Sequence, residues 1–334
     1  MPPGFTKSYA ARLDGLCRSV KVVGVDQRTV KFASGGYELP GTLTLPVTDG
    51  EYSAVGAIIV HGNGPGPRDG TSSQNLGFAY PEPVHTYENL ALTLAHAGLA
   101  VLRYDKRSCF HETVPACKNS VFDYPGDPAA IVLDDFVADA RAAARYVSER
   151  PEVRDQGIVA VGHSEGGVLA TALVQAEGPV GSAVLLGGPP LPFEDTAAGQ
   201  LESYADYLQG LGDAYQSEVD ELHAKAARWR NELDQIRQGT YPKDSWEGAS
   251  VSYVRSTLSW YDTIEERFTA LDRPVLVLSG LADFNVGPSH LEHYETLAAQ
   301  HYQHNVSVHA LPGVTHAFCV APDVSGWGPF EPDL

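Results

Sequence analysis

Between residues 54 and 186 the chain repeats one pattern, a short apolar run followed by a helical stretch. The run 54–60 reads Ala-Val-Gly-Ala-Ile-Ile-Val, without a single polar side chain. A strand with one face in water would alternate, so this one must be covered on both faces. Further strands are expected at 100–104, 158–162 and 181–186, with helices at 87–97, 132–150 and 164–177 between them. Alternation of this kind means a mostly parallel sheet with helices on both faces, an α/β fold. Ahead of it, residues 28–32 and 37–45 alternate around Gly35-Gly36, which reads as a β-hairpin.

The pattern then stalls. From 186 to 274 no strand is expected. Tyr215, Val219, Leu222, Ala226, Trp229, Leu233 and Ile236 recur in steps of four and three, one apolar stripe on a long helix. Leu201, Tyr204, Leu208 and Leu211 form a shorter stripe before it, with Gly212 as the break. The sheet resumes at 275–278, and 304–311 supplies a last strand after a helix at 289–301. The chain therefore divides into a core of residues 1–188 and 266–334 and an inserted helical cap of residues 189–265. Two connections, 62–82 and 105–129, are long for a compact domain. Both follow strands, so both emerge at the carboxyl edge of the sheet, where ligands bind in open α/β folds.

The strongest chemical signal is Gly162-His163-Ser164-Glu165-Gly166-Gly167, directly after one expected strand and opening a helix. A serine there sits on a sharp strand-to-helix turn that presents its hydroxyl above the sheet, and the glycines are needed where a Cβ would meet neighbouring backbone. A nucleophilic serine needs a base and a group that orients the base. Asp283 follows the strand at 275–278, and His316 follows the last strand. Both therefore lie at the same sheet edge as Ser164, in the order Ser, Asp, His. Asp105, after the strand at 100–104, is the runner-up for the acid. Of the 12 histidines, His111 in the second long loop is the one rival to His316; His163 is expected to pack inside the turn. An oxyanion would need two donors. We assign them to Glu165, through the N–H that follows the nucleophile, and to Asn63 in the loop His61-Gly62-Asn63-Gly64-Pro65-Gly66-Pro67-Arg68-Asp69-Gly70. A phosphate-binding reading of that loop is weak, because Pro65 and Pro67 remove donors.

Composition excludes partners. With 42 Asp+Glu against 23 Lys+Arg, the net charge of −19 repels nucleic acid and anionic membrane, and disfavours anionic esters. No stretch approaches the roughly 18 apolar residues of a membrane span. The first twenty residues lack the apolar centre of a secretory signal. The cytoplasm is therefore expected, or secretion with a signal removed. The four cysteines are too few for a disulfide framework and none has zinc-site spacing; Cys109 and Cys117 are either two thiols or one small ring. Oligomer formation is compatible with this surface and not set by it.

The segments Gly41-Thr42-Leu43-Thr44-Leu45-Pro46, His61 to Gly70, Arg103-Tyr104-Asp105-Lys106-Arg107 and Gly162 to Gly167 resemble the α/β-hydrolase superfamily. More narrowly, they resemble its bacterial serine esterase branch, close to the S33-type hydrolases. The similarity runs roughly from Gly36 to Ala317. It implies an eight-stranded sheet, a helical cap after the sixth strand and a Ser164–Asp283–His316 triad. Ser108 stands where the branch usually has glycine, and Pro67 where it usually has an acid. The resemblance also implies that Arg68-Asp69 and Lys106-Arg107 tie the two long loops together by ion pairs.

A cofactor-independent serine carboxylesterase is the expected function, with a neutral small-molecule ester as substrate. An aminopeptidase or amidase of the same fold, and a non-catalytic binding protein that kept the fold, are the alternatives. The cap is rich in aromatic residues, and Trp229, Trp246, Trp260 and Tyr253 are taken to line an apolar acyl or aryl pocket.

Overall fold

The computed structural model describes residues 21–72, 84–109, 117, 124–154, 157–300 and 304–319. His111 and Cys17 lie outside them. One eight-stranded sheet organises the chain. Strands β1 (Val22–Ser34) and β2 (Tyr37–Thr48) form the hairpin around Gly35-Gly36. Strand β3 (Val55–Val60) is followed by helix α1 (Thr86–His96), β4 (Leu99–Tyr104), α2 (Leu133–Ser148), β5 (Ile158–His163), α3 (Glu165–Gln175) and β6 (Val180–Leu186). After the insert come β7 (Val275–Gly280), α8 (Pro288–Gln300) and β8 (Val306–Leu311). The spatial order is β1-β2-β4-β3-β5-β6-β7-β8. β2 runs antiparallel to β1 and β4, and every other neighbouring pair is parallel.

The all-apolar run sits where its composition requires. Ala57, Ile58 and Ile59 are fully buried, because β3 lies between β4 and β5 with helices packed on both sides. One side of the sheet packs Ile58, Val60 and Leu102 against Leu133, Val137 and Val147 of α2. On the other, Ala57, Ile59 and Val101 meet Tyr87 and Ala91 of α1. Burial on both faces removes any advantage of alternation, which is why the run reads as continuous.

The segment between β6 and β7 is helical, as its stripes imply. It holds α4 (Phe193–Leu211), α5 (Gln216–Gln238), α6 (Val251–Tyr261) and α7 (Ile264–Thr269). On α5 the stripe is buried at Val219, Ala226, Leu233 and Ile236, while Leu211 at the end of α4 is exposed. The expectation of no strand here is corrected by a minimal hairpin, in which Ser245–Trp246 pairs with Ala249–Ser250. Its turn places Glu247 and Gly248 at positive φ. Two residues per strand are too few for any alternation to register.

Cys109 and Cys117 form a disulfide, closing the ring that the sequence left open. Among the described residues, no helix is long and apolar enough to cross a membrane.

Candidate active site

The turn after β5 brings the serine out of the sheet. Ser164 has φ 55° and ψ −126°, a left-handed backbone that costs a residue with a Cβ on the order of 1–3 kcal/mol. The turn is held by its backbone, with the Ser164 N–H donating to Leu186 O at 2.9 Å and the Gly167 N–H to Ser164 O at 2.8 Å. The flanking glycines are steric necessities. A Cβ on Gly162 would fall on the Gly166 carbonyl, and one on Gly166 on the carbonyl of Val60. Helix α3 begins at Glu165, so the Glu165 N–H is one of its unsatisfied first-turn donors.

Asp283 and His316 meet as a pair. The carboxylate is fully buried and its Oδ1 accepts the N–H groups of Asn285 and Val286, each at 2.8 Å. Its Oδ2 lies 2.8 Å from His316 Nδ1. A carboxylate can only accept here, so Nδ1 carries a proton, and in the neutral ring Nε2 is the nitrogen with the lone pair. Gly187, at φ 53°, makes room for the pair. A Cβ there would lie 3.0 Å from Asp283 Oδ2 and 3.3 Å from His316 Nδ1.

Asp105 is otherwise engaged. It receives Arg68 Nη2 at 2.8 Å, Arg68 Nε at 3.0 Å and the Arg68 N–H at 2.8 Å. This ion pair does tie the two long loops together. The other charges reach further: Arg103 pairs with Asp69, Arg107 with Asp135 and Asp139 of α2, and Lys106 with Glu165.

Beside Ser164 lies a cavity of about 940 Å³. Ser164, Glu165 and Asn63 border it from the core, and Phe193, Trp229, Trp246, Tyr253 and Tyr261 from the insert. Trp260 is the exception among the four aromatic residues taken for its wall. It lies on α6 directly before Tyr261 and is turned to a different side of the helix. There it packs on the main core, with the Arg267 guanidinium 4.0 Å above its ring. Its neighbour Tyr261, turned by about 100°, takes the place at the cavity.

From the sequence, Glu165 has only a backbone role and Lys106 an ion pair between the long loops; in the structure the two pair with each other. The Glu165 carboxylate is 1% exposed and accepts the Tyr253 hydroxyl at 2.8 Å, with Lys106 Nζ at 3.3 Å. Lys106 also donates to Gly62 O at 2.7 Å and lies 4.1 Å above the Phe136 ring. Burial lowers the Lys106 ammonium pKa and raises that of the Tyr253 phenol. The Asn63 amide oxygen takes the Gly64 N–H at 2.6 Å and lies 3.1 Å from the Tyr253 hydroxyl, so its side chain is occupied. The available signal was an acidic residue directly after the serine, in a turn rich in glycine.

Several histidines are held neutral. Burial pushes His61 and His290 down to about 4, with Lys106 adding to the effect at His61. Unfolded, each would titrate near 6.5. As pH falls below about 6.5 the unfolded chain takes up protons that the folded chain refuses, so their contribution is present above 6.5 and lost on the way to about 4. Calorimetric melts should therefore show a lower midpoint at pH 5 than at pH 7.5, and His290→Gln should shrink the difference.

Among the described residues no group of three His, Cys, Asp or Glu is placed to hold a metal ion. No curated protein matches this sequence. A family model described as serine aminopeptidase, S33, matches residues 80–323. The chain belongs to the S33 family of α/β-hydrolases. Solved structures agree on the fold. A hypothetical protein from Pseudomonas aeruginosa matches with a TM-score of 0.51 at 19% identity, covering 88% of each chain. Est1E from Butyrivibrio proteoclasticus, solved with ferulic acid bound, matches with a TM-score of 0.51 at 16% identity, covering 86% of this S33 chain and 91% of its own. An acylaminoacyl peptidase in complex with a chloromethyl ketone matches with a TM-score of 0.53 at 12% identity, covering 94% of this chain and 40% of that one.

Proposed function

We propose that this S33 protein is a serine carboxylesterase that hydrolyses neutral esters of small to medium acyl or aryl groups through an acyl-enzyme. The observation that carries the reading is the Asp283–His316 pair, which leaves Nε2 ready to take a proton at the sheet edge where Ser164 stands half-buried on its strained turn. Ser164 Oγ attacks the ester carbonyl and passes its proton to His316 Nε2. The N–H groups of Glu165 and Asn63 receive the oxyanion. The imidazolium then protonates the departing alcohol, and water repeats the sequence on the acyl-enzyme. The insert acts as a cap over this site, and its aromatic residues supply the apolar wall for the acyl or aryl group.

Two supports bear on substrate class. Lys106 and Glu165, which border the cavity together with Ser164, neutralise each other, which suits a neutral substrate. The net charge of −19 disfavours anionic ones. The family description and the acylaminoacyl peptidase neighbour favour a second reading, in which the same machinery cleaves amides. Purified protein offered p-nitrophenyl butyrate and aminoacyl-p-nitroanilides side by side distinguishes them, with Ser164→Ala as the blank. Turnover of the ester at least tenfold faster is expected; preference for the anilides would establish the amidase. Labelling by a fluorophosphonate probe tests the chemistry itself, and an intact, unreactive Ser164 would mean a binding protein on this fold. The Cys109–Cys117 disulfide supports an oxidising compartment rather than the cytoplasm.

A further inference from the structure

Three segments must meet for the hydrolytic reaction: the loop after β3, the turn that carries Ser164, and the stretch that carries His316. One chain of hydrogen bonds joins all three. The Gly62 N–H donates to the Tyr87 hydroxyl at 3.1 Å. That hydroxyl lies 3.0 Å from His163 Nδ1, and His163 Nε2 lies 2.8 Å from the backbone carbonyl of His316. The ends dictate the directions, because an amide can only donate and a carbonyl can only accept. His163 must therefore keep its proton on Nε2, and Tyr87 must give its own to Nδ1.

Both residues hold the protonation state this requires. Loss of solvent, with His316 adding to it, pushes His163 down to about 3, which favours the neutral ring. Burial pushes the Tyr87 phenol up to about 12. The packing is equally specific. The His163 and His316 rings lie 4.7 Å apart, and Thr86 beside Tyr87 donates to the Ala317 carbonyl at 3.1 Å. Two consecutive residues at the start of α1 thus reach two stretches of chain far from them in sequence. One stretch adjoins the oxyanion donor Asn63 and the other includes His316 itself.

We propose that Tyr87 and His163 are positioning residues for catalysis, holding the Asn63 loop and the His316 peptide in register with Ser164. The inference rests on the serine-hydrolase reading above. Its expected size follows from how sharply such reactions depend on placement: an error of about 1 Å in a reacting group can cost roughly a hundredfold.

The test uses Tyr87→Phe, His163→Leu and His163→Gln in the whole chain, with p-nitrophenyl butyrate and fluorophosphonate labelling as readouts. Tyr87→Phe removes only the hydroxyl, and His163→Leu removes the donor to His316 O. A glutamine amide reaches about as far as Nε2 and restores that donor. Per titrated active site, kcat should fall about 30-fold in Tyr87→Phe and His163→Leu with KM within about twofold. Labelling of Ser164 should slow in parallel, and His163→Gln should recover to within about fivefold of wild type. Tyr87→Phe keeps the ring and its packing, so it decides the matter even if His163→Leu does not fold. Variants that melt earlier but turn over at the wild-type rate would overturn the inference. So would a glutamine no better than leucine. A wild-type protein inert to both probes would overturn the hydrolase reading beneath it, which is a separate and recognisable failure.

Discussion

Asp283→Asn should lower kcat by about 10⁴-fold while leaving KM within about twofold and the fold intact. The reason lies in the two oxygens of this carboxylate. Oδ1 is held by the N–H groups of Asn285 and Val286, and an asparagine oxygen can accept both equally well. The amide nitrogen must then stand where Oδ2 faces His316 Nδ1. A donor in that position demands a lone pair on Nδ1 and drives the ring proton to Nε2. The imidazole would present a proton to Ser164 instead of a place to put one. Circular dichroism melts should be little changed, because the two backbone hydrogen bonds survive. Wild-type turnover by the Asp283→Asn variant would remove Asp283 from the mechanism.

Arg107→Met should cost about 3–5 kcal/mol of stability, against a total of about 5–15 kcal/mol for a typical domain. Arg107 and Asp139 are each 1% exposed and form a bidentate pair, Nε to Oδ2 at 2.8 Å and Nη2 to Oδ1 at 2.6 Å. The remaining nitrogen donates to Asp135 at 2.7 Å and to the Tyr37 hydroxyl at 2.6 Å. Methionine retains most of the length but leaves the Asp139 carboxylate buried beside apolar neighbours without its counter-charge. The penalty is that of an unpaired charge, larger than the net worth of the pair. Arg107→Met with Asp139→Leu should therefore be more stable than Arg107→Met alone. Urea unfolding reads both, as a fall in midpoint at constant slope. A loss below about 1 kcal/mol for the single variant would show that water or another group reaches Asp139.

These two sites differ in how far the sequence foretold them. Asp283 was found by its place after a strand, in line with Ser164 and His316, and the structure sets it on the imidazole. Arg107 was expected to join two loops, and it reaches instead to α2. Asp105, the rival acid, is taken up by Arg68, a pairing across 37 residues that no local pattern encodes.

The sheet, the helical insert, the serine turn and the order of the three candidate catalytic residues could all be read from the order of residues. Each of these is written locally. A strand buried on both faces must be apolar throughout, a helix packed on one side must repeat every three or four residues, and a turn without room for a Cβ must carry glycine. Which side chains answer one another across the chain emerged only with the packed fold. Folding closed Cys109 onto Cys117, put Tyr261 rather than Trp260 at the cavity, and set the Glu165 carboxylate between Lys106 and Tyr253. It also ran Tyr87 through His163 to a carbonyl 153 residues beyond that histidine. Such pairings depend on distance and direction after the sheet has formed, when a buried donor must take whatever acceptor the packing brings to it.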